Sequence, residues 1–586
     1  MSRALDTLAR SGRLRRADAA LGAWLARMFP DAAPEVALAA ALAARAVGDG
    51  HSALELAGAQ AWCAQLDGHG AVPALPDAAA WQAALHAAQA ACKSADDDRV
   101  APLTLDAQGR VYLSRYHDYE RQVATTLAAH ARRTFDADAG TTANGTLDAG
   151  QQHAVAIALR HGFALVTGGP GSGKTYSVAR MLAALLRDGE ARGRLPRIAL
   201  AAPTGKAAAR LTESLHAQIA ALDLPAALGE ALRQNAVTLH NLLGISPWRA
   251  QPRHHTRAPL PYDVVVVDEA SMIDLPLMAK LVGALRPDTR LMLLGDPDQL
   301  SAVEAGNVLP ALVEASRAAP FDDCHAALAR SHRFGAGSAL GKLAASVVAG
   351  DADAALALLA NDGTVRLDSA REGSHAALVA TACTGYADVL AASDVGAALR
   401  AARGFRVLTA LRHGPLGCLA LNRDIEARLV REHGLAGKGT WWRGRLVLVT
   451  ANRAELGLFN GDVGVAWPDA DGGMKVWFEG AAGPRAFATA ALPPHEGAFA
   501  LTVHKAQGSE FERVALVTGP DSAVLTRELL YTGVTRARTG ITLYSDPDTL
   551  RAGIGRRTLR MTGLADRLRE AAAAPSSIAE SLSDTT

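Results

Sequence analysis

The residues best equipped for chemistry form one glycine-rich run, Gly168-Gly169-Pro170-Gly171-Ser172-Gly173-Lys174-Thr175. The run fits the pattern G-x-x-x-x-G-K-[ST], and it lies between a short apolar strand pattern over 163–166 and apolar residues at helical spacing over 176–186. Its glycines let backbone N–H groups turn inward around a phosphate, while Lys174 reaches the outer phosphates and Thr175 ligates Mg²⁺. A chance glycine-rich turn is the alternative, and the flanking strand and helix argue against it. The run predicts a binding site for ATP and Mg²⁺.

Two carboxylates directly follow a second apolar run, Val264 to Val267. In this position Asp268 is expected to hold the Mg²⁺ shell, and Glu269 to polarise the attacking water. A strand that ends in Asp-Glu is weak evidence by itself, but it becomes strong when a phosphate loop lies upstream.

A glutamine follows the next apolar run, within the stretch from Gly295 to Leu300. Gln299 is suitably placed to sense a γ-phosphate or to orient water. A type I turn built on Asp-Pro-Asp is the alternative; it explains the proline and the aspartates but leaves Gln299 unexplained.

Other residues are candidates to complete the nucleotide site from a distance. Gln151 stands at the start of a predicted helix and could make paired contacts with an adenine edge, although a helix-start glutamine means little alone. Arg333 and Arg536 are candidates to reach the γ-phosphate as arginine fingers, but either could instead be a surface salt-bridge partner. Glu510 could receive a ribose hydroxyl.

Small polar and basic residues at the remaining strand ends have no role in nucleotide chemistry. They suit contacts to the backbone of a single nucleic-acid strand. The predicted set is Pro203, Thr204, Lys206, Thr238 and His240, joined by Thr502, His504 and Lys505 from a later segment dense in functional groups.

The elements that must position these residues divide the chain into regions. Residues 1–135 are rich in alanine and leucine at helical spacing and predict a helical docking domain. Apolar strands alternating with helices over 136–318 predict a parallel sheet covered on both faces, whose strand ends bring the motifs together. A second α/β region without a phosphate loop spans 319–436 and 498–570. Short strands between Asn-Gly and Asp-Gly-Gly turns predict an all-β insertion over 437–497, and the serine-rich 571–586 predicts disorder.

Composition limits the class of protein. The 586 residues are 49% hydrophobic with a net charge of +1, which gives no global case for nucleic acid. No apolar stretch is long enough for a membrane span, the N-terminus lacks a signal-peptide core, and the five cysteines show no C-x-x-C spacing, so we expect a cytoplasmic protein without a disulfide framework. A loop-like stretch carries a local basic cluster, Arg249, Arg253, His254, His255 and Arg257. Alone, such a cluster is more often a solvated face.

The ordered set of motifs resembles that of superfamily 1B DNA helicases. More closely, it is similar to the RecD family, the alpha subunits of the helicase–nuclease exodeoxyribonuclease V (RecBCD). The segments that carry this likeness are Gly457 to Asp462, Thr502 to Phe511 and Arg527 to Arg538.

The resemblance implies two RecA-like domains that clamp ATP and walk 5′ to 3′ along one DNA strand, with the β insertion as an SH3-like domain. It implies RecB and RecC as partners, docking through the N-terminal domain, a role in double-strand break repair by homologous recombination and in degradation of linear DNA, and nuclease activity in a partner. The same likeness assigns Lys174, Glu269, Gln299, Arg333 and Arg536 to catalysis.

Two departures from the family pattern limit this transfer. The stretch from Gly244 to Tyr262, where longer relatives carry a strand-separating hairpin, is short and rich in arginine and histidine. His332 stands where the family commonly has tyrosine, a change that should leave Arg333 usable.

Two other functions are alternatives to a RecBCD helicase subunit: a stand-alone RecD-like helicase and a non-catalytic scaffold with a regulatory ATP site.

Overall fold

The computed structural model describes residues 3–136, 147–219, 222, 225–233, 235–330, 337–368, 374–434, 439–480, 483–519 and 524–574. Among these residues, no helix combines the length and apolar character that a membrane crossing needs.

The N-terminal region contains helices and a small sheet with strand order β1-β4-β3-β2, in which β2 and β3 run parallel and the other neighbours antiparallel. Its elements are α1 (Arg3–Arg10), α2 (Arg16–Met28), α3 (Pro34–Gly48), β1 (Leu54–Glu55), α4 (Ala59–Gln65), α5 (Ala78–Ala87), β2 (Cys92–Ser94), β3 (Leu103–Leu105), β4 (Arg110–Leu113) and α6 (Ser114–Arg132). The helices were expected, but the sheet was not. Its strands are too short for a readable two-residue alternation.

The next region forms the first parallel sheet, with strand order β10-β5-β9-β8-β6-β7. Its elements are α7 (Ala149–Arg160), β5 (Phe163–Gly168), α8 (Lys174–Ala191), β6 (Ile198–Ala202), α9 (Gly205–Ile219), α10 (Ala226–Leu232), β7 (Val237–Thr238), α11 (Leu239–Leu243), β8 (Val264–Val267), α12 (Leu275–Gly283), β9 (Arg290–Gly295), α13 (Val308–Ala315) and β10 (His325–Leu328). Strand β8 is fully buried: Val264 and Val266 pack in one core cluster, and Val265 and Val267 in another. Apolar cover on both faces of β8 explains its unbroken valine run.

The second parallel sheet has strand order β11-β20-β19-β12-β18. Its elements are α14 (Ala339–Ala349), α15 (Ala352–Asn361), β11 (Val365–Asp368), α16 (Ser374–Gly385), α17 (Ala387–Ala391), α18 (Val395–Ala401), β12 (Phe405–Thr409) and α19 (Cys418–Glu432), then after the insertion β18 (Ala500–Thr502), β19 (Phe511–Val517), α20 (Arg527–Val534), β20 (Ala537–Tyr544) and α21 (Pro547–Gly555). The α/β fold class with two parallel sheets is therefore confirmed.

The insertion is an antiparallel sheet with strand order β16-β15-β14-β13-β17. Its strands are β13 (Leu446–Val449), β14 (Val463–Pro468), β15 (Met474–Phe478), β16 (Arg485–Ala488) and β17 (His495–Gly497). Its predicted SH3-like character stays a prediction.

The chain returns to its beginning in α22 (Leu564–Ala573). Leu564 and Leu568 pack in the core cluster that also holds residues of α6 and of the first sheet. The guanidinium of Arg567 lies 3.2 Å from the Asp106 carboxylate of the N-terminal region. Disorder was predicted from residue 571, but α22 continues through Ala573, because Leu564 and Leu568 anchor this helix in the core. Residues 575–586 lie outside the described residues.

Candidate functional site

The phosphate loop joins β5 to the N-terminus of α8. Gly171 and Gly173 have φ values of 76° and 85°, a left-handed conformation that lets the loop curl around the helix start. The Lys174 ammonium donates to the carbonyl oxygens of Gly168 (2.5 Å) and Gly169 (3.2 Å). Within the described residues, the buried Ser172 hydroxyl has no hydrogen-bond partner. The loop thus holds a cation and an unused donor where a phosphate would supply acceptors.

The carboxylate pair stands at the end of β8. Asp268 accepts a hydrogen bond from the Glu269 backbone N–H at 2.8 Å. Burial and the neighbouring Glu269 charge raise the pKa of Asp268 to about 6, while the positive charge of Lys174 acts in the opposite direction. Glu269 has φ of 54°, and it is the one non-glycine residue with positive φ in the part of the chain that the structure describes. Such backbone strain is typical of functional sites.

The loop after β9 forms a hydrogen-bond network that crosses to the second sheet. The buried Asp296 carboxylate accepts from the Gln299 amide at 2.9 Å and from the Tyr531 hydroxyl of α20 at 3.0 Å. The pKa of Asp296 is raised, because the effect of burial outweighs the opposing effects of the Lys174 charge and of these hydrogen bonds. The Tyr531 hydroxyl also lies against Gly169 of the phosphate loop, since a Cβ added there would sit 2.9 Å from it. Tyr531, on a helix of the second α/β region, therefore contacts both the phosphate loop and the loop after β9.

Further contacts hold the two sheets together beside this network. The Leu300 backbone N–H donates to the Thr532 hydroxyl at 2.9 Å, and the Gln507 amide donates to the Leu300 carbonyl at 3.0 Å. The walls of the cleft are thus in direct contact on the side of the Gln299 loop.

Arg536 lies just after α20 and is 3% exposed. Its guanidinium donates to the carbonyl oxygens of Thr532 (3.0 Å) and Ser509 (3.3 Å). Burial lowers the pKa of Arg536, and the charges of Glu269 and Asp296 oppose that effect. The buried Arg536 guanidinium therefore lies close enough to Glu269 and Asp296 of the first parallel-sheet region for their charges to act on it.

The remaining predicted nucleotide residues have more varied surroundings. Gln151 is buried in the first turn of α7, where its side chain and that of Asp148 form a reciprocal capping box. Thr175 is the second residue of α8, as the loop pattern requires. The Glu510 carboxylate is ion-paired with Arg210 of α9. Arg333 lies outside the described residues.

The predicted DNA-binding residues of the first sheet meet at one edge. Ala202 of β6 pairs with Thr238 of β7, so the segment that follows each strand begins side by side. The hydroxyls of Thr204 and Thr238 cap the helices that follow, each accepting from a backbone N–H at 3.2 Å. His240 lies one residue into α11.

Lys206 connects this edge to the rest of the molecule. Its ammonium donates to the Ser509 hydroxyl at 2.6 Å and lies 3.4 Å from the Gly461 carbonyl of the insertion. Burial lowers the pKa of Lys206 to about 8, although Asp462 opposes the shift. The Phe459 ring of the insertion packs on the neighbouring Gly205.

The second group of predicted DNA-binding residues follows β18. The Thr502 hydroxyl accepts from the Lys505 backbone N–H at 3.3 Å, and the Lys505 ammonium forms an ion pair with Glu496. Burial lowers the pKa of His504, and the nearby Arg560 charge adds to that effect. Lys505, Arg412 and His495 line an open cavity of about 700 Å³ between the second sheet and the insertion.

Sequence reasoning missed several residues at the cleft. Asp296 and Tyr531 were parts of recognised motifs but had no role of their own, because a carboxylate–phenol pair 235 residues apart leaves no local signal. Arg210 was not singled out at all. It follows Lys206 by one helical turn on α9, and that spacing could have placed both cations on one face.

Comparisons with known proteins agree with this arrangement. Residues 10–112 match the family model "RecBCD enzyme subunit RecD, N-terminal domain", residues 151–305 an AAA domain and residues 497–544 the UvrD-like helicase C-terminal domain. The RecBCD enzyme subunit RecD of Mycolicibacterium smegmatis is 42% identical over 555 residues, covering 92% of this chain and 95% of that protein.

The comparisons also find further relatives and solved structures. The subunit RecD of Mycobacterium tuberculosis H37Rv is 41% identical over 91% of each chain. The ATP-dependent RecD2 DNA helicase of Deinococcus radiodurans is 31% identical over 70% of this chain and 50% of its own length. Among solved structures, the Pif1 helicase from Candida albicans aligns at 13% identity with a TM-score of 0.41, over 73% of this chain and 99% of that one.

Proposed function

This chain belongs to the RecD family of RecBCD enzyme subunits, and we propose from this premise that it couples ATP hydrolysis to 5′ to 3′ movement along one DNA strand. It is an ATP-dependent DNA helicase of the RecBCD type. In a complex with RecB-like and RecC-like subunits it would serve double-strand break repair by homologous recombination and degradation of linear DNA. Nuclease activity is expected in a partner, and the location is expected to be cytoplasmic.

The observation that carries this proposal is the cleft built from both parallel sheets. The Asp296–Tyr531 hydrogen bond and the contact of Leu300 with Thr532 join the γ-phosphate side of one sheet to the other. Since ATP bound in such a cleft would contact both walls, its arrival favours closure and its hydrolysis removes that preference. A strand held by both walls is then moved in steps if the grips alternate.

The residues of the cleft fit ATP with Mg²⁺. The Ser172 hydroxyl, which has no partner among the described residues, and the Lys174 ammonium supply donors for phosphate oxygens. The partly buried Asp268, whose pKa desolvation and the Glu269 charge raise, would be stabilised in its charged form by a nearby cation. We assign Mg²⁺ to Thr175 and Asp268, where the ion would neutralise charge on the phosphates. We assign the phosphates to the loop Gly168 to Thr175, the adenine to Gln151 and the ribose to Glu510.

The catalytic roles fall on both walls. Glu269 is assigned as the base that accepts a proton from the attacking water, with Gln299 orienting that water. Asp296 fixes the Gln299 amide nitrogen, which leaves the amide oxygen to accept from water. Arg536 would stabilise charge that builds on the γ-phosphate, and Arg333 is proposed for the same role.

The DNA strand is proposed to run over the carboxyl edge of both sheets. Thr204, Lys206 and Thr238 would contact it on the first sheet, together with Pro203 and His240; the second sheet would contribute Thr502, His504 and Lys505. Because Lys206 already touches Ser509 and Gly461, this path passes beside the insertion. The N-terminal region, whose residues 10–112 match the RecD family model, is proposed to dock the partners.

The substitution Lys174→Gln tests the function. It removes the cation that binds the outer phosphates, so we expect DNA-stimulated ATP hydrolysis to fall by about 10²- to 10³-fold and unwinding of a duplex with a 5′ overhang to stop. Binding of single-stranded DNA should be retained. Lys280→Gln, on α12 away from the loop, is the matched control and should hydrolyse ATP normally. Undiminished unwinding by a Lys174→Gln preparation free of wild-type enzyme would refute the proposal.

A stand-alone helicase is the weaker alternative. The RecD2 helicase shares 31% identity with this chain, whereas the RecD subunits of Mycobacterium tuberculosis and Mycolicibacterium smegmatis share 41–42% over nearly the whole chain. Affinity purification from the native organism decides between them. Recovery of two large RecB-like and RecC-like chains is expected, and consistent recovery of the chain alone would favour the alternative.

A further inference from the structure

The most exposed tryptophan side chain lies in a loop that the roles above do not use. Trp248 is 92% exposed, a larger fraction than for any other tryptophan among the described residues. It belongs to residues 245–257, here called the basic loop, which connects α11 to the segment before β8. Covering the apolar surface of so exposed a ring would be favourable, which makes Trp248 a candidate contact once its surroundings also point to a ligand.

The base of this loop is held in a defined place. Ile245 donates from its backbone N–H to the His240 carbonyl at 2.8 Å, and His254 donates to the Leu243 carbonyl at 3.0 Å. Gly244 ends α11 with φ of 63°. These bonds fix the loop one helical turn from His240, at the strand edge where Thr238 lies beside the end of β6.

The tip of the loop is a turn that presents the ring. The Arg249 backbone N–H donates to the Ser246 carbonyl at 3.2 Å, and the Trp248 N–H donates to the Ser246 hydroxyl at 3.3 Å. Ile245 packs against the core of the first sheet, so the chain is anchored just before the turn. Trp248 is therefore directed outward by local structure.

All charged side chains of the basic loop itself are basic. No aspartate or glutamate occurs between Glu230 and Asp263 in the sequence. Arg249, Arg253 and Arg257 are exposed, and none forms an ion pair with a residue that the structure describes. Unpaired guanidinium groups beside an aromatic face are the combination that binds a single nucleic-acid strand, the cations on phosphates and the ring on a base.

A protein partner would require a different surface. Arginine and tryptophan are both common in protein interfaces, but such an interface also buries a continuous apolar core, whereas Trp248 is followed by the exposed Arg249 and Gln251. We propose that the basic loop is a base-stacking contact for single-stranded DNA, in which Trp248 stacks on one base while Arg249 and Arg253 bind the flanking phosphates. This inference rests on the proposed function and extends its DNA path beyond Thr238 and His240.

Trp248→Ala in the full-length chain tests the stacking. The probes are a fluorescent oligothymidylate of about 20 nucleotides, longer than one binding fold covers, and an abasic strand of the same length with the same phosphates. Loss of one stacked base should weaken oligothymidylate binding about 5- to 150-fold. Binding of the abasic strand should not change, because it has no base to stack. Trp248→Phe should keep most of the affinity, and Trp24→Ala, a half-exposed tryptophan of α2, should keep all of it.

Salt dependence separates the ring from the cations. The affinity falls as salt is added, so a plot of log affinity against log salt has a negative slope. Replacing Arg249 and Arg253 together by glutamine should make this slope shallower by about 0.7 for each phosphate that the variant no longer binds. Trp248→Ala should leave that slope unchanged. Wild-type affinity of Trp248→Ala for oligothymidylate, or an equal loss for both probes, would overturn the inference. Failure of the wild-type chain to bind either probe would instead count against the proposed function.

Discussion

The two parallel sheets have similar architecture, but the segments next to them carry different functional residues. The first ends its strands in the phosphate loop, the Asp268–Glu269 pair and the Gln299 loop, while the second offers buried side chains such as Tyr531 and Arg536. The residues proposed to bind the ATP phosphates are neighbours in one loop, whereas residues that respond to the γ-phosphate need only approach it when the cleft closes. In the proposed function, the first sheet therefore binds the nucleotide and the region of the second sheet responds to it.

Of the substitutions considered, Arg536→Gln should cause the largest loss of ATP hydrolysis. An arginine that stabilises charge on the transferred phosphoryl group contributes about 10³- to 10⁵-fold to kcat, so we expect a loss in that range. Binding of ATP, which the first sheet provides, should change little. Steady-state ATP hydrolysis with saturating single-stranded DNA, together with a fluorescent-nucleotide titration, measures both quantities.

Arg538→Gln is the matched control for this variant. Arg538 is the second residue of β20, two positions after Arg536, but it is exposed and forms a 3.5 Å ion pair with Glu512. Its removal should leave kcat unchanged, since exposed ion pairs contribute little. Equal losses in the two variants would show that Arg536 acts by supporting the fold alone.

Tyr531→Phe should weaken communication between the sheets with a smaller effect. It removes one hydroxyl, and with it the 3.0 Å hydrogen bond to Asp296 across the cleft. A hydrogen bond to a carboxylate contributes about 1.5–3 kcal/mol, so DNA-stimulated turnover should fall roughly 10-fold or more. Tyr119→Phe on α6 is the control. Normal turnover in Tyr531→Phe would mean that closure does not use this bond.

The smallest predicted effect is a pH dependence of single-stranded DNA binding that arises from Lys206. Because burial lowers its pKa to about 8, the free protein loses this positive charge as the pH rises through that value. Single-stranded DNA affinity should therefore fall several-fold between about pH 7 and 9, because the neutral amine attracts its phosphate less strongly. Lys206→Arg keeps its charge and should flatten the profile. An unchanged profile in that variant would assign the titration to another group.

Much of the binding side could be predicted from the sequence, because its motifs are local. The phosphate loop, the valine run before Asp268 and the Gln299 loop each follow a strand, and parallel strands gather their ends at one edge. The responding side could not be derived in the same way. Tyr531 and Asp296 meet only because the two α/β regions pack against each other, and the pairing of Glu510 with Arg210 likewise depends on that packing. The short N-terminal strands left no periodic pattern.

The most direct test of a cleft shared by two sheets is the DNA-stimulated ATPase rate of four proteins: wild type, Lys174→Gln, Arg536→Gln and the double variant. Residues that act as a unit on one transition state show strongly non-additive losses. The double variant should therefore hydrolyse ATP no more slowly than the slower single variant. A loss in the double variant equal to the product of the two single losses would show that the sheets act independently, and it would refute the shared cleft.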